Sequence, residues 1–287
     1  MPELPEVTAL SMALGRRLRG ARVATISMRS IAALKTYDPP LDALCGLEVS
    51  GAGRHGKFID ISLPPLHLVV HLARAGWMRL RDQAPSADER LSLRGPLILR
   101  VGFEDGRALD ITEQGTEKRL AVYVVREASD VPGVSRLGPD ALDGSLDAAA
   151  LATLLREHRG TLKSVLADQS VIAGIGNAYS DEILHAAGLS PFRHSDSLDT
   201  AEATALMLAI NDVLRRALDE ARAAAPESLK EAKRMRMRVH GRAGERCPVC
   251  GDVVRSVSYA NRSFQYCARC QTGGKVLADR RLSRLLK

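Results

Sequence analysis

No apolar run among the 287 residues approaches the roughly 18 that a membrane-crossing helix needs. No secretory leader opens the chain either. Met1-Pro2-Glu3-Leu4-Pro5-Glu6 is acidic where a leader is basic, and no apolar stretch follows it. No segment repeats. Cysteine is scarce: there are five, four of them in two pairs near the end, with Cys45 alone. This usage fits a metal site in a reducing compartment better than a disulfide framework. The expectation is a cytoplasmic protein with no membrane partner.

What the chain has in excess is positive charge, +7 net, with a pI near 9.4. Such a balance favours a polyanionic partner through counterion release, although a basic protein with no nucleic-acid role can carry the same net charge. The distribution is more telling. Lys230, Lys233, Arg234, Arg236, Arg238, Arg242 and Arg246 are opposed only by Glu231 and Glu245. Lys275, Arg280, Arg281, Arg284 and Lys287 follow in the tail.

The length suggests about two domains, and a hydrophobic content of 45% is ordinary for a chain with real cores. Val7, Leu10, Leu14 and Leu18 recur at helical spacing, with Gly20 as a stop. Strand-like runs then follow: Val23–Ile26, Lys57–Ile61, Leu66–His71, Leu97–Val101, Leu109–Ile111 and Ala121–Val125. Glu104-Asp105-Gly106 is a hairpin signal among them. This part predicts a β sandwich or barrel with a leading helix. A Pro-, Gly- and Asp-rich stretch comes next, and Ala- and Leu-rich helical patterns after it. The expected division is residues 1–130 as a β domain, 131–145 as a linker, 146–238 as a helical domain, 239–271 as a cysteine-paired ribbon and 272–287 as a basic tail.

Cys247-Pro248-Val249-Cys250 and Cys267-Ala268-Arg269-Cys270, sixteen residues apart, are spaced to close a tetrahedron on one zinc ion. Four thiolates leave no open coordination position, so the expected role is structural. Val253–Tyr259 and Phe264–Tyr266 suit two antiparallel strands, with Ala260-Asn261-Arg262-Ser263 at the tip. From there Arg262 would reach a phosphate or a groove; as a bare turn residue it would be solvated.

Ala173-Gly174-Ile175-Gly176-Asn177 allows a tight turn and close backbone approach. Asn177 could cap the next helix and offer its amide to a phosphate, beside the N–H groups of that helix start. The same pattern also serves as a plain connection between helices. At the N-terminus, loss of Met1 would expose Pro2 as a secondary amine. An amine of this kind, partly neutral near pH 7, can attack the C1′ carbon of a deoxyribose. The iminium formed holds a fixed charge, acidifies the C2′ hydrogen and permits β-elimination of the 3′ phosphate. Glu3 is placed to protonate the ring oxygen. Alternatively, Pro2 and Pro5 only rigidify a helix start.

Taken together, these pieces resemble the formamidopyrimidine-DNA glycosylase and endonuclease VIII family. The resemblance runs through Pro2–Val7, Arg54-His55-Gly56-Lys57-Phe58, Ile172–Asn177 continuing to Asp181-Glu182, and Val239-His240-Gly241-Arg242 leading into the four cysteines. It implies an α+β fold: an N-terminal β-sandwich with a leading helix, then a helix–two-turn–helix domain with a four-cysteine zinc ribbon. It also implies base-excision repair of damaged or abasic DNA, double- or single-stranded, by a monomeric, nucleoid-associated glycosylase and lyase, with the nucleotide flipped out to reach Pro2. Pro2 matches the nucleophile, Glu3 the acid and Lys57 the phosphate-contacting lysine. Asn177 and Arg262, with the Gly174 and Gly176 turn, match the grip on flanking phosphates.

The chain departs from the family pattern in three respects: the residues at the vacated base space, the stretch before Val239, and the tail. Arg74 stands where a methionine often fills the vacated base space. Lys118 and Leu120 stand where a base-reading arginine and a phenylalanine wedge are usual. The stretch before Val239 is short and basic, without the aromatic, Gly-containing loop that covers oxidised guanine. This favours oxidised pyrimidines or abasic sites, as in endonuclease VIII-like members. The basic tail from Gln271 to Lys287 extends past the usual end of the ribbon. Two other readings remain: a non-catalytic lesion-binding protein on the same scaffold, and, more distantly, a zinc-ribbon RNA-binding protein.

Overall fold

The computed structural model describes residues 1–83, 95–259 and 262–278, and the chain divides into two compact units. The first holds Met1–Arg136 and Ala224–Leu229, and the second Leu137–Ala223 and Lys230–Lys287.

The first unit opens with α1 (Leu4–Leu18), whose Leu4, Val7, Leu10, Leu14 and Leu18 are buried along one stripe. Two four-stranded antiparallel sheets follow and make the β-sandwich. One has the order β1 (Val23–Met28), β6 (Leu97–Phe103), β7 (Ala108–Glu113), β5 (Gly76–Arg81). The other runs β2 (Gly51–His55), β3 (Phe58–Leu63), β4 (Leu66–His71), β8 (Ala121–Val125). β-branched and leucine side chains such as Ile59, Ile61, Val70, Leu99, Ile111 and Val122 fill the interior. Asp110 on β7 accepts from Arg81 at 2.5 Å and Arg100 at 2.6 Å, tying three strands together. Burial works to raise its pKa, but these two guanidiniums outweigh it and the net direction is down. The expected 104–106 hairpin turn is present, with Gly106 at φ +84°.

β2 and β5 lay outside the strand-like runs of the sequence. β2 reads Gly-Ala-Gly-Arg-His, with no apolar alternation, and forms because α1 lies directly on it. A Cβ on Gly15 would meet the Ala52 backbone nitrogen at 3.2 Å, so a side chain there would push helix and strand apart.

In the second unit, α2 (Ala148–Glu157) and α4 (Asn177–Ala186) pack on the long α5 (Thr200–Ala223), and α3 (Leu162–Leu166) packs on α4. Asp147 caps α2 by accepting the Ala150 amide at 2.8 Å. α6 (Leu229–Arg236), part of this unit from Lys230 onward, carries the basic run. β9 (Val254–Tyr259) and β10 (Arg262–Cys267) form the ribbon hairpin, closed by α7 (Ala268–Thr272). Phe264 of the ribbon meets Phe192 edge-on, centroids 5.1 Å apart. Residues from Asp279 onward, and with them most of the basic tail, lie outside the described residues.

Candidate active site

Pro2 is buried just ahead of α1. Glu3, 1% exposed, is the N-cap, and its amide donates to the Glu6 carboxylate at 2.9 Å in a reciprocal capping box. The N-terminal dipeptide is therefore fixed by the helix it precedes. In this chain the Pro2 nitrogen belongs to the Met1–Pro2 peptide bond, so it becomes an amine only when Met1 is absent.

β2 and β3 are joined by Gly56-Lys57, with His55 paired to Phe58. Gly56 has φ +52°, which lets a two-residue turn close. Lys57 lies in this turn rather than in the strand expected to begin with it, and is only 6% exposed. Arg54 docks the hairpin on α1 through Nε to Thr8 Oγ1, 2.6 Å, and braces the turn through Nη1 to the Gly56 carbonyl, 3.2 Å. Asp60 accepts from His55 at 3.1 Å and His67 at 2.8 Å on the same sheet. His71 is the register partner of Phe58, with ring centroids 4.7 Å apart. Burial, then the Lys57 charge, push its pKa down to about 4.

Arg74 is exposed in the Leu72–Ala75 loop, which closes by the Gly76 amide donating to the Leu72 carbonyl at 2.9 Å. Ala73 takes φ +49°, an uncommon conformation for a residue with a Cβ. Lys118 is exposed, and its ammonium donates to the Glu113 carbonyl. The buried Glu113 carboxylate accepts the Arg119 amide at 2.9 Å and the Leu120 amide at 3.1 Å, which hooks the loop back onto β7. Leu120 corrects the expectation of a wedge. It is 2% exposed, close enough to Gly76 that a Cβ there would meet its Cδ1 at 2.9 Å, and so fills the core.

In the second unit, Gly174 has φ +98°, as the tight turn requires. Its amide, however, donates to Gln169 Oε1 at 3.0 Å, while Gln169 Nε2 donates to the Ile175 carbonyl at 2.6 Å. The Gly174 N–H is thereby committed to the loop rather than open to an anion. The cap of α4 is Gly176, not Asn177, which is the first helical residue. The Asn177 side-chain amide donates to the Ser263 carbonyl at 3.0 Å, joining the turn to β10. Arg262 begins β10, its backbone opposite Tyr259, so the hairpin tip is shorter than expected. Ala260, Asn261 and the Arg262 side chain lie outside the described residues.

A buried polar network underlies this turn. Lys163 Nζ donates to the Asn177 carbonyl (2.5 Å), Ser180 Oγ (2.8 Å) and Asp181 Oδ1 (2.6 Å). Asp181 Oδ2 also meets His240 Nδ1 at 2.6 Å. Glu182 accepts the amides of Arg238, Val239 and His240 at 2.8–2.9 Å. Sequence reasoning missed Lys163 and Gln169. Lys163 stands in the apolar stretch Leu162–Leu166, and a lysine there was the available signal.

Cys247 and Cys270 bring their sulfurs to 3.8 Å, Cys250 and Cys267 to 3.4 Å, and all four lie within 4.8 Å of one another. These spacings are too long for disulfide bonds. They suit a tetrahedron with metal–sulfur bonds of about 2.3 Å, whose edges are about 3.8 Å. His185 Nε2 lies 3.3 Å from Cys247 Sγ.

Residues 1–114 match the formamidopyrimidine-DNA glycosylase N-terminal domain, 137–227 the formamidopyrimidine-DNA glycosylase H2TH domain, and 244–273 the zinc finger found in FPG and IleRS. A formamidopyrimidine-DNA glycosylase of Desulforamulus reducens is 30% identical over 280 residues, 94% of this chain and 99% of its own. The chain belongs to the formamidopyrimidine-DNA glycosylase family. An uncharacterized formamidopyrimidine-DNA glycosylase-like protein of Mycobacterium tuberculosis is 56% identical over 156 residues, covering 54% of this chain and 98% of that one. The crystal structure of the MutM (Fpg) protein from Thermus thermophilus is similar at a TM-score of 0.80 and 28% identity, over 96% of this chain and all of that one.

Membership in the formamidopyrimidine-DNA glycosylase family makes this chain a DNA glycosylase by homology. Pro2, Glu3, Lys57 and Arg74 fall inside the matched N-terminal domain and Asn177 inside the H2TH domain, whereas Lys118 falls between the two. The four cysteines are the metal cluster of the matched zinc finger. Among the described residues no helix is long and apolar enough to cross a membrane.

Proposed function

We propose that the protein is a bifunctional glycosylase and abasic-site lyase of base-excision repair, acting through Pro2 once Met1 is removed. The observation that carries this reading is the burial of Pro2 and Glu3 at the start of α1, with the Lys57 turn bonded to the same helix through Arg54 and Thr8. The Pro2 nitrogen attacks C1′ and the C1′–base bond breaks, the base taking the proton that the amine loses; Glu3 then gives its proton to the ring oxygen as the C1′–O4′ bond opens. The resulting iminium withdraws electrons, C2′ loses a proton, and the C3′–oxygen bond breaks to release the 3′ phosphate. Lys57 holds the phosphate beside the lesion. Asn177 and Arg262 grip flanking phosphates, and Arg74 and Lys118 approach the space left by the flipped nucleotide. The Gly174–Gly176 turn sets the position of Asn177. Cys247, Cys250, Cys267 and Cys270 hold a single structural zinc ion.

The partner is damaged or abasic DNA, met by a monomer in the cytoplasm at the nucleoid. A related structure, the Lactococcus lactis formamidopyrimidine-DNA glycosylase, is described as bound to DNA containing an AP site; at 24% identity and a TM-score of 0.80 it supports the fold. The short basic stretch before Val239, which forms α6, favours oxidised pyrimidines and abasic sites over oxidised guanine.

Borohydride trapping tests the proposal. Protein of mass-verified N-terminus is incubated with single- and double-stranded oligonucleotides carrying an abasic site, an oxidised pyrimidine or 8-oxoguanine, then reduced. A covalent adduct that vanishes when Met1 is retained is the expected result. Binding without any adduct would overturn the enzyme reading in favour of a lesion-binding protein.

A further inference from the structure

His185, in the last turn of α4, is 4% exposed. Its Nε2 faces the Cys247 sulfur at 3.3 Å, and its Nδ1 is buried with no hydrogen-bond partner. Leaving a buried polar atom unmade costs about 1–3 kcal/mol, and a leucine or phenylalanine would fill the same space without that penalty. The chemistry of Cys247 accounts for a histidine. A metal-bound cysteine is a thiolate, which accepts hydrogen bonds and donates none. The imidazole nitrogen facing it must therefore carry the hydrogen, which leaves Nδ1 as the bare lone pair. Cys247 is otherwise packed among Val239, Val254 and Cys267, an apolar setting in which a single donor matters most.

We propose that His185 is a positioning residue of the metal centre: its Nε2–H donates to the Cys247 thiolate, holding that ligand in place and lowering its reactivity toward electrophiles. The inference rests on reading the four cysteines as a zinc site.

The test uses full-length, zinc-quantified protein and two variants. His185→Phe keeps the bulk and removes the donor, and His185→Gln restores an N–H near Nε2. Zinc release to a chromogenic chelator is followed with and without peroxide, and maleimide modification of each cysteine is mapped by mass spectrometry. Release from His185→Phe is expected to be at least about tenfold faster, in line with other hydrogen-bond partners of metal ligands, with Cys247 modified first and His185→Gln close to wild type. A folded His185→Phe that releases zinc at the wild-type rate, with the order of modification unchanged, overturns the proposal. If His185→Phe does not fold, the imidazole tautomer of zinc-loaded wild type, read by 15N NMR, decides: a hydrogen on Nε2 supports the donor, and a hydrogen on Nδ1 alone overturns it. Wild-type protein without zinc would instead sink the reading of the ribbon itself, and this inference with it.

Discussion

Thr8 receives the Arg54 Nε hydrogen at 2.6 Å and passes its own hydroxyl hydrogen to the Leu4 carbonyl at 2.7 Å. This relay connects the Lys57 turn to the first turn of α1, immediately behind Pro2 and Glu3. Thr8→Val keeps the shape and removes both bonds. The part-buried guanidinium loses an acceptor, which should lower stability by about 1 kcal/mol and the melting midpoint by a few degrees. If the relay positions Lys57, borohydride adduct formation slows several-fold at a temperature where the variant is fully folded. An unchanged adduct rate with a lowered midpoint would confine the relay to stability.

His71 supplies a pH prediction. Its pKa is depressed to about 4 in the folded chain, against about 6.5 when unfolded. Below 6.5 the unfolded chain binds a proton that the folded one refuses. Stability is therefore complete above pH 6.5 and falls progressively as pH drops toward 4, by about 2–3 kcal/mol. Urea midpoints between pH 7 and 4 check this, and His71→Phe should flatten the His71 part of that slope. Because the Lys57 charge contributes to the depression, Lys57→Met should move the His71 NMR titration upward. An unmoved titration would place the Lys57 ammonium away from the imidazole.

Glu182 gathers three consecutive amides, those of Arg238, Val239 and His240, on one buried carboxylate. Glu182→Gln turns charge-assisted bonds into neutral ones and brings an NH2 against donors. A loss of about 2–3 kcal/mol is expected in denaturant unfolding. A shift below about 0.5 kcal/mol would mean that the amides find other partners.

How much of this was legible beforehand divides along physical lines. α1 stood out because its apolar side chains repeat at helical spacing, and β4 and β8 because each is a short, nearly continuous apolar run. The cysteine pairs were equally plain, since a metal tetrahedron fixes their local spacing. β2 could not be read from Gly51–His55, which has no apolar alternation; its small residues reflect the close approach of α1, where Gly15 lies against Ala52. Leu120 looked like a wedge by its place in the chain, but burial under Gly76 depends on a sheet contact forty-four residues away. Asn177 looked like a cap, yet its amide turns to Ser263, a partner 86 residues distant that no local pattern signals. Lys163 was signalled only by being a lysine in an apolar stretch, and its three acceptors, 14 to 18 residues further along, follow from no local pattern.

If Asn177 and Arg262 grip phosphates as proposed, the Asn177–Ser263 bond couples the four-cysteine cluster to DNA binding. β10 carries Ser263 and ends on Cys267, so the strand is pinned at the cysteine end. Removing zinc with a chelator, or replacing Cys267 by Ser, should melt the ribbon while helices α2, α4 and α5 persist. Asn177 is then left without its partner, and Arg262 without the strand that carries it. Affinity for abasic DNA should fall at least about tenfold, and the slope of log affinity against log salt should become shallower by about one for each phosphate no longer gripped. Circular dichroism and fluorescence anisotropy across a salt series report the two halves separately. A melted ribbon with undiminished affinity and slope would remove both Arg262 and the Asn177–Ser263 link from the phosphate grip, leaving binding to the rest of the chain.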